Sequence, residues 1–244
     1  MAALVEGTYP ARVERIALRV DGYVIDAIHA RPEGPALAGL VLSPDISGLR
    51  PLFEDICRRL ATHGLAVCAV EPFARVPIAE RQALELPERL ARVASLSDDT
   101  QLGDLAEAAD HLEAADHVPS VSILGFCLGG YYTLKAACSG RFERAVSFYG
   151  MLRTPTAWDG PGHRSPLGHL AGACPTLAVF GDADPWVPLA DIEELRRLWS
   201  GAEERKIVVY PGADHGFVHD PDRPAHRAGD AADAWLRALS FLLT

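Results

Sequence analysis

The segment VSILGFCLGGYYTLKAA, residues 121–137, has residue types and a spacing suited to nucleophilic chemistry. An apolar run ends in Gly125-Phe126-Cys127-Leu128-Gly129 and passes into a helical pattern. That is the context of a sharp strand-to-helix turn presenting its central residue, here Cys127, as a nucleophile. Close approach of strand and helix leaves no room for side chains two positions to either side, hence Gly125 and Gly129. The turn lifts the sulfur above the sheet edge and aims the Leu128 N–H at the place where an oxyanion would form. Cys57, Cys68, Cys138 and Cys174 sit within apolar helix or strand patterns and read as inert packing residues.

A thiol nucleophile needs a base, and the base an orienting group. Among nine histidines, His63, His111 and His117 fall at helix ends or polar faces, His29 in an opening hairpin, and His163 and His169 in an irregular stretch. His215 differs, because PGADHGF follows a strand pattern at the end where parallel sheets place their sites. The orienting acid should hang from the loop before it, where FGDADPWVP offers Asp182 and Asp184; spacing alone leaves both open. A metal site built from Asp214, His215, His219 and Asp220 is the rival reading, but these residues follow no recognised ligand spacing. Tyr149, Trp158, Trp186 and Phe217 are candidate pocket walls.

The elements that must hold these residues follow from the hydrophobic pattern. Alternation at 12–20 and 23–30 around Asp21-Gly22 predicts an antiparallel hairpin. Short apolar runs at 39–44, 65–72, 121–126, 144–150, 175–181 and 205–211 predict buried strands. They alternate with helical patterns ending at Gly64 and spanning 98–116, 128–139, 192–199 and 229–243. Ser97 or Asp98 would cap the helix at 98–116. The expected fold class is α/β, a mostly parallel sheet flanked by helices, in a single domain over 1–244. Residues 72–97, with Pro72, Pro77 and Pro87, and the Gly- and Pro-rich 151–174 resist this scheme and read as pocket rims or surface excursions.

Composition narrows the function. The 244 residues carry a formal net charge of −10, and only Lys135 and Lys206 among the 23 basic residues are lysines. Without clustered positive charge, nucleic acid is excluded as an expected partner. Five cysteines without a C-x-x-C pair argue against a disulfide framework or structural zinc and for a reducing cytoplasm. The N-terminal residues lack a signal-peptide pattern, and no apolar run has the length of a membrane span.

The sequence resembles the dienelactone hydrolase family of α/β-hydrolases from about residue 15 onward. The likeness rests on Gly-Phe-Cys-Leu-Gly-Gly (125–130), Gly-Asp-Ala-Asp-Pro-Trp-Val-Pro (181–188) and Asp-His-Gly-Phe (214–217). It implies an α/β-hydrolase fold and a triad of Cys127, Asp184 and His215, selecting Asp184 over Asp182. LSPDISG (42–48) matches the family's Glu-Ile-Phe-Gly. The match implies that Asp45 contacts the resting thiol and that the Ile46 N–H joins Leu128 in an oxyanion hole. Two departures stand out: the acid is one methylene shorter, and His219 replaces an arginine that holds the substrate carboxylate. A second family arginine would come from Arg81, Arg89 or Arg92.

The resulting expectation is a cytoplasmic hydrolase of carboxylic esters or lactones, without cofactor or metal, acting through a thioester. It would be a monomer or small homo-oligomer with a small-molecule substrate and no membrane or nucleic-acid partner. Two alternatives have different consequences. A class I glutamine amidotransferase-like enzyme would carry His-x-Glu, whereas Phe217 stands at that offset. A ligand-binding or redox-sensing protein would keep the fold and use Cys127 as an oxidisable group.

Overall fold

Asp21 and Gly22 both take positive φ, 49° and 82°. Such a turn matches the twist of paired strands. It joins β1 (Ala11–Val20) to β2 (Tyr23–Pro32), with Val20 opposite Tyr23. The computed structural model describes residues 3–244. Residues 1 and 2, the start of the stretch read for a signal peptide, lie outside the described residues.

Six further strands follow: β3 (Ala38–Ser43), β4 (Leu65–Val70), β5 (Val121–Phe126), β6 (Ala145–Phe148), β7 (Thr176–Gly181) and β8 (Arg205–Tyr210). They form one eight-stranded sheet in the order β1-β2-β4-β3-β5-β6-β7-β8. β2 pairs antiparallel with both β1 and β4, and every other pairing is parallel. β4, β5, β6 and β7 are buried along their whole length, which is why they read as continuous apolar runs rather than alternating ones. The α/β class and the opening hairpin agree with the sequence reading.

The helices are α1 (Pro51–Ala61), α2 (Ile78–Ala83), α3 (Leu86–Val93), α4 (Asp98–Asp116), α5 (Leu128–Ala136), α6 (Leu189–Leu198) and α7 (Ala228–Leu242). Ser97 caps α4 by accepting from the Thr100 N–H at 3.2 Å. α2 and α3 lie in the proline-bearing stretch expected to be irregular. Pro77 is the N-cap of α2 and Pro87 sits in the first turn of α3, where a missing N–H removes no helical bond. Prolines that look like breakers therefore start helices. Residues 151–174 stay irregular apart from three short 3₁₀ turns. Among the described residues, no helix is long and apolar enough to cross a membrane.

Candidate active site

β5 ends at Phe126, and α5 begins two residues later. Between them Cys127 has φ 55° and ψ −116°, a conformation that non-glycine residues rarely adopt. Its N–H donates to the Phe148 carbonyl at 3.1 Å, and its carbonyl accepts from the Tyr131 N–H at 2.9 Å. A Cβ on Gly129 would fall on the Ser43 and Pro44 carbonyls, and one on Gly125 would meet the Gly129 carbonyl and Thr133. The two glycines are thus required by close backbone approach.

His215 follows β8, and Asp184 follows β7. His215 Nδ1 lies 2.8 Å from Asp184 Oδ2, and the carboxylate is fully buried. The other carboxylate oxygen accepts from the Trp186 N–H at 2.8 Å. Asp182 instead turns to the Gly212 N–H. Burial pulls the His215 pKa down, but charge on the Cys127 sulfur and the bond to Asp184 outweigh it, and the pKa is raised to about 10. With Nδ1 donating to Asp184, Nε2 remains for the sulfur.

Cys127 and His215 open into a cavity of about 360 Å³, the size of a small-molecule site. Leu86 and Leu90 of α3, Met151, Trp158 and Trp186 form its apolar wall. Trp158 and Trp186 stack with ring centroids 5.7 Å apart. Asp45, Ile46, Ser47, Arg50, Asp220 and Arg223 form the polar side. The N–H groups of Leu128 and Ile46 donate to no backbone acceptor among the described residues.

The remaining sequence-predicted contacts distribute differently. Trp186 and Asp45 line the cavity, whereas Tyr149, Phe217 and His219 are buried behind its wall. Asp45 is not hydrogen-bonded to the thiol. Its Oδ1 accepts from the Ser47 N–H (2.9 Å) and Arg50 (2.7 Å), and its Oδ2 from Arg50 (2.9 Å) and His219 Nε2 (2.7 Å). An ionised carboxylate has about four acceptor sites, so no site is left for the sulfur. Burial would raise the Asp45 pKa, but these donors reverse the effect and hold it well below the carboxylate range. Complete burial lowers the pKa of His219, so the neutral ring donates from Nε2 to Asp45 and accepts at Nδ1 from the Tyr149 hydroxyl.

None of the three arginines read for substrate binding lines the cavity. Arg81 pairs with Asp26, Arg92 with Glu80, and Arg89 donates to the Arg81 and Ile46 carbonyls. The sequence reading missed Arg50 and Arg223. Arg50 pairs with Asp45 and Asp220, while Arg223 has no acidic partner among the described residues. Single arginines in loops carry no periodicity, and only the spacing Asp45-x₄-Arg50 could have hinted at the first.

The dienelactone hydrolase family model matches residues 25–244. A Salmonella typhimurium protein named "Putative carboxymethylenebutenolidase" is 33% identical over 221 residues, covering 88% of this chain and 81% of the relative. A Bradyrhizobium protein named "Probable 2-oxo-3-(5-oxofuran-2-ylidene)propanoate lactonase" is 30% identical over 210 residues, covering 84% and 83%. A Klebsiella pneumoniae crystal structure described as a "Putative Dienelactone Hydrolase" superposes with a TM-score of 0.87 at 27% identity, covering 96% of this chain and 99% of that one. With the α/β-hydrolase fold and a family match across nearly the whole chain, this protein belongs to the dienelactone hydrolase family of lactone and ester hydrolases.

Proposed function

We propose that the protein cleaves small carboxylic esters or lactones with Cys127 as nucleophile, His215 as base and acid, and Asp184 as the group that orients His215. The observation that carries this reading is the strained elbow at Cys127 facing a His215–Asp184 pair in one ligand-sized cavity. With its proton held on His215 Nε2, the sulfur attacks as the thiolate and bonds to the carbonyl carbon. The Leu128 and Ile46 N–H groups hold the resulting oxyanion. As the tetrahedral adduct collapses, the C–O bond breaks and His215 protonates the leaving oxygen, leaving a thioester on Cys127. His215 then takes a proton from water, whose oxygen attacks the thioester and expels the sulfur. The acid product leaves, and the thiol is restored.

Size and lining restrict the substrate. The cavity suits a small ester or ring lactone laid against Trp158 and Trp186. Thiolates displace good leaving groups readily, so activated esters and enol lactones are favoured over amides. Butenolide and oxofuranylidene lactones, named for the relatives, are of this kind. Arg223 is the cavity-lining cation without an acidic partner among the described residues and is positioned to draw an anionic substrate group.

The test is hydrolysis of p-nitrophenyl acetate and of a dienelactone by wild type and Cys127→Ala, side by side. The expected result is turnover of both by wild type and a loss of at least about 10³-fold in the variant. Ester turnover that survives Cys127→Ala overturns the assignment. Rapid peroxide oxidation of Cys127 without ester turnover would favour a sensor instead.

A further inference from the structure

Behind the cavity wall lies a chain of buried polar groups that the catalytic steps do not use. Tyr149 follows β6 with φ 41°, a left-handed conformation seldom taken by an aromatic residue, and its side chain is fully buried. Its ring stands edge-on to His215 at a centroid distance of 5.1 Å, and its hydroxyl donates to His219 Nδ1. His219 stacks on Phe126, the residue before the nucleophile, at 4.7 Å. From Nε2 it donates to Asp45 at 2.7 Å. Asp45 in turn accepts from the Ser47 N–H and from Arg50 Nη1 and Nη2, and its carbonyl accepts the Gly48 N–H at 3.0 Å. The segment fastened in this way carries Ile46. Buried polar groups of this kind, when fully paired, fix one geometry, because any displacement leaves a desolvated group without a partner.

Resting on the catalytic reading above, we propose that Tyr149, His219 and Asp45 form a fixed relay that holds the Ile46 N–H in oxyanion-binding position relative to the Cys127–His215 pair. His219 is the positioning residue at its centre. It occupies a place that no single-function side chain could fill, since it must donate on one side and accept on the other. Neutral imidazole does this, and so does a carboxamide. The relay acts on the oxyanion rather than on the nucleophile, so it should separate two reactions of the same sulfur. Ester cleavage passes through an oxyanion. Alkylation of Cys127 by iodoacetamide is displacement at a saturated carbon with loss of iodide, and forms none.

The experiment compares wild type, His219→Phe, His219→Gln and Tyr149→Phe in two assays. One is kcat/KM on p-nitrophenyl acetate; the other is the iodoacetamide alkylation rate at Cys127, read by peptide mass. His219→Phe keeps the stacking ring but breaks both bonds, and is expected to lower ester kcat/KM by about 10²-fold, the scale of losing one oxyanion donor. Its alkylation rate should stay within about twofold of wild type, because no oxyanion develops. His219→Gln should recover most of the ester activity by restoring a donor and an acceptor. Tyr149→Phe removes one oxygen atom, so it decides the matter should His219→Phe not fold, with a smaller loss in the ester assay alone. Unchanged ester activity in both Phe variants overturns the relay. So does a parallel fall of ester cleavage and alkylation, which would place the effect on the nucleophile. Esterase activity that survives Cys127→Ala would instead overturn the catalytic reading, and a wild type silent on every ester would overturn both.

Discussion

At the scale of residues, identity and position contribute in different proportions. Cys127 and His215 were legible because a glycine-flanked turn and a strand-end histidine are local patterns, and family likeness selected Asp184 over Asp182. The geometry pairs Asp184, not Asp182, with His215. Asp45 was legible as a residue of interest but not in its connections. Its partners include His219, 174 positions away, and no local pattern announces such a contact. The histidine at 219 likewise gains meaning only beside Tyr149 and Asp45. Arg223 carries a prediction of its own. A guanidinium without an acidic partner, lining the cavity, should contribute binding to an anionic substrate and nothing to a neutral one. Arg223→Ala is expected to raise KM for a carboxylate-bearing lactone by about 10-fold, with KM for p-nitrophenyl acetate unchanged. Equal effects on both substrates would remove Arg223 from the binding role.

At the scale of elements, hydrophobic period placed the strands and long helices to within a few residues. It failed where proline was read as punctuation: Pro77 caps α2, Pro87 lies in the first turn of α3, and α3 supplies Leu86 and Leu90 to the cavity. The pairing of β2 with β4 was also invisible, because it joins segments about 40 residues apart through backbone bonds that leave no compositional mark. The junction of β5, α5 and β3 is the element contact most sensitive to change. Gly129 packs against the Ser43 and Pro44 carbonyls, which cannot withdraw without moving β3. Gly129→Ala is therefore expected to destabilise the fold by about 2–3 kcal/mol or prevent folding, measurable as a lower urea midpoint. A midpoint equal to wild type would show that the strand–helix approach is looser than described.

At the scale of the whole molecule, the sheet brings residues from the ends of β5, β7 and β8 and from the loop after β3 to one mouth. The Cys127–His215 pair also couples to global stability. His215 has a folded-state pKa raised to about 10 from an ordinary 6.5, with burial opposing and the Cys127 charge and Asp184 more than offsetting it. A raised pKa contributes stability that is complete below about 6.5 and is lost as pH climbs through about 10. Asp45 has the opposite sign: its depressed pKa contributes stability above the carboxylate range, lost only in strong acid. Unfolding midpoints measured from pH 6 to 11 should fall towards the alkaline end, and less steeply in Cys127→Ala, where the charge that raises His215 is absent. Identical alkaline slopes in the two proteins would show that the sulfur does not face His215 as described.

The thioester itself is open to direct observation. Wild-type protein mixed with excess p-nitrophenyl acetate and quenched in acid within milliseconds should show an added acetyl group, about 42 Da, on the peptide containing Cys127. The adduct should be absent in Cys127→Ala and should accumulate in His215→Gln if any acylation proceeds there, since the deacylating water then lacks its base. An acetyl group on another residue, or full ester turnover with no Cys127 adduct at any quench time, would contradict nucleophilic catalysis by this cysteine.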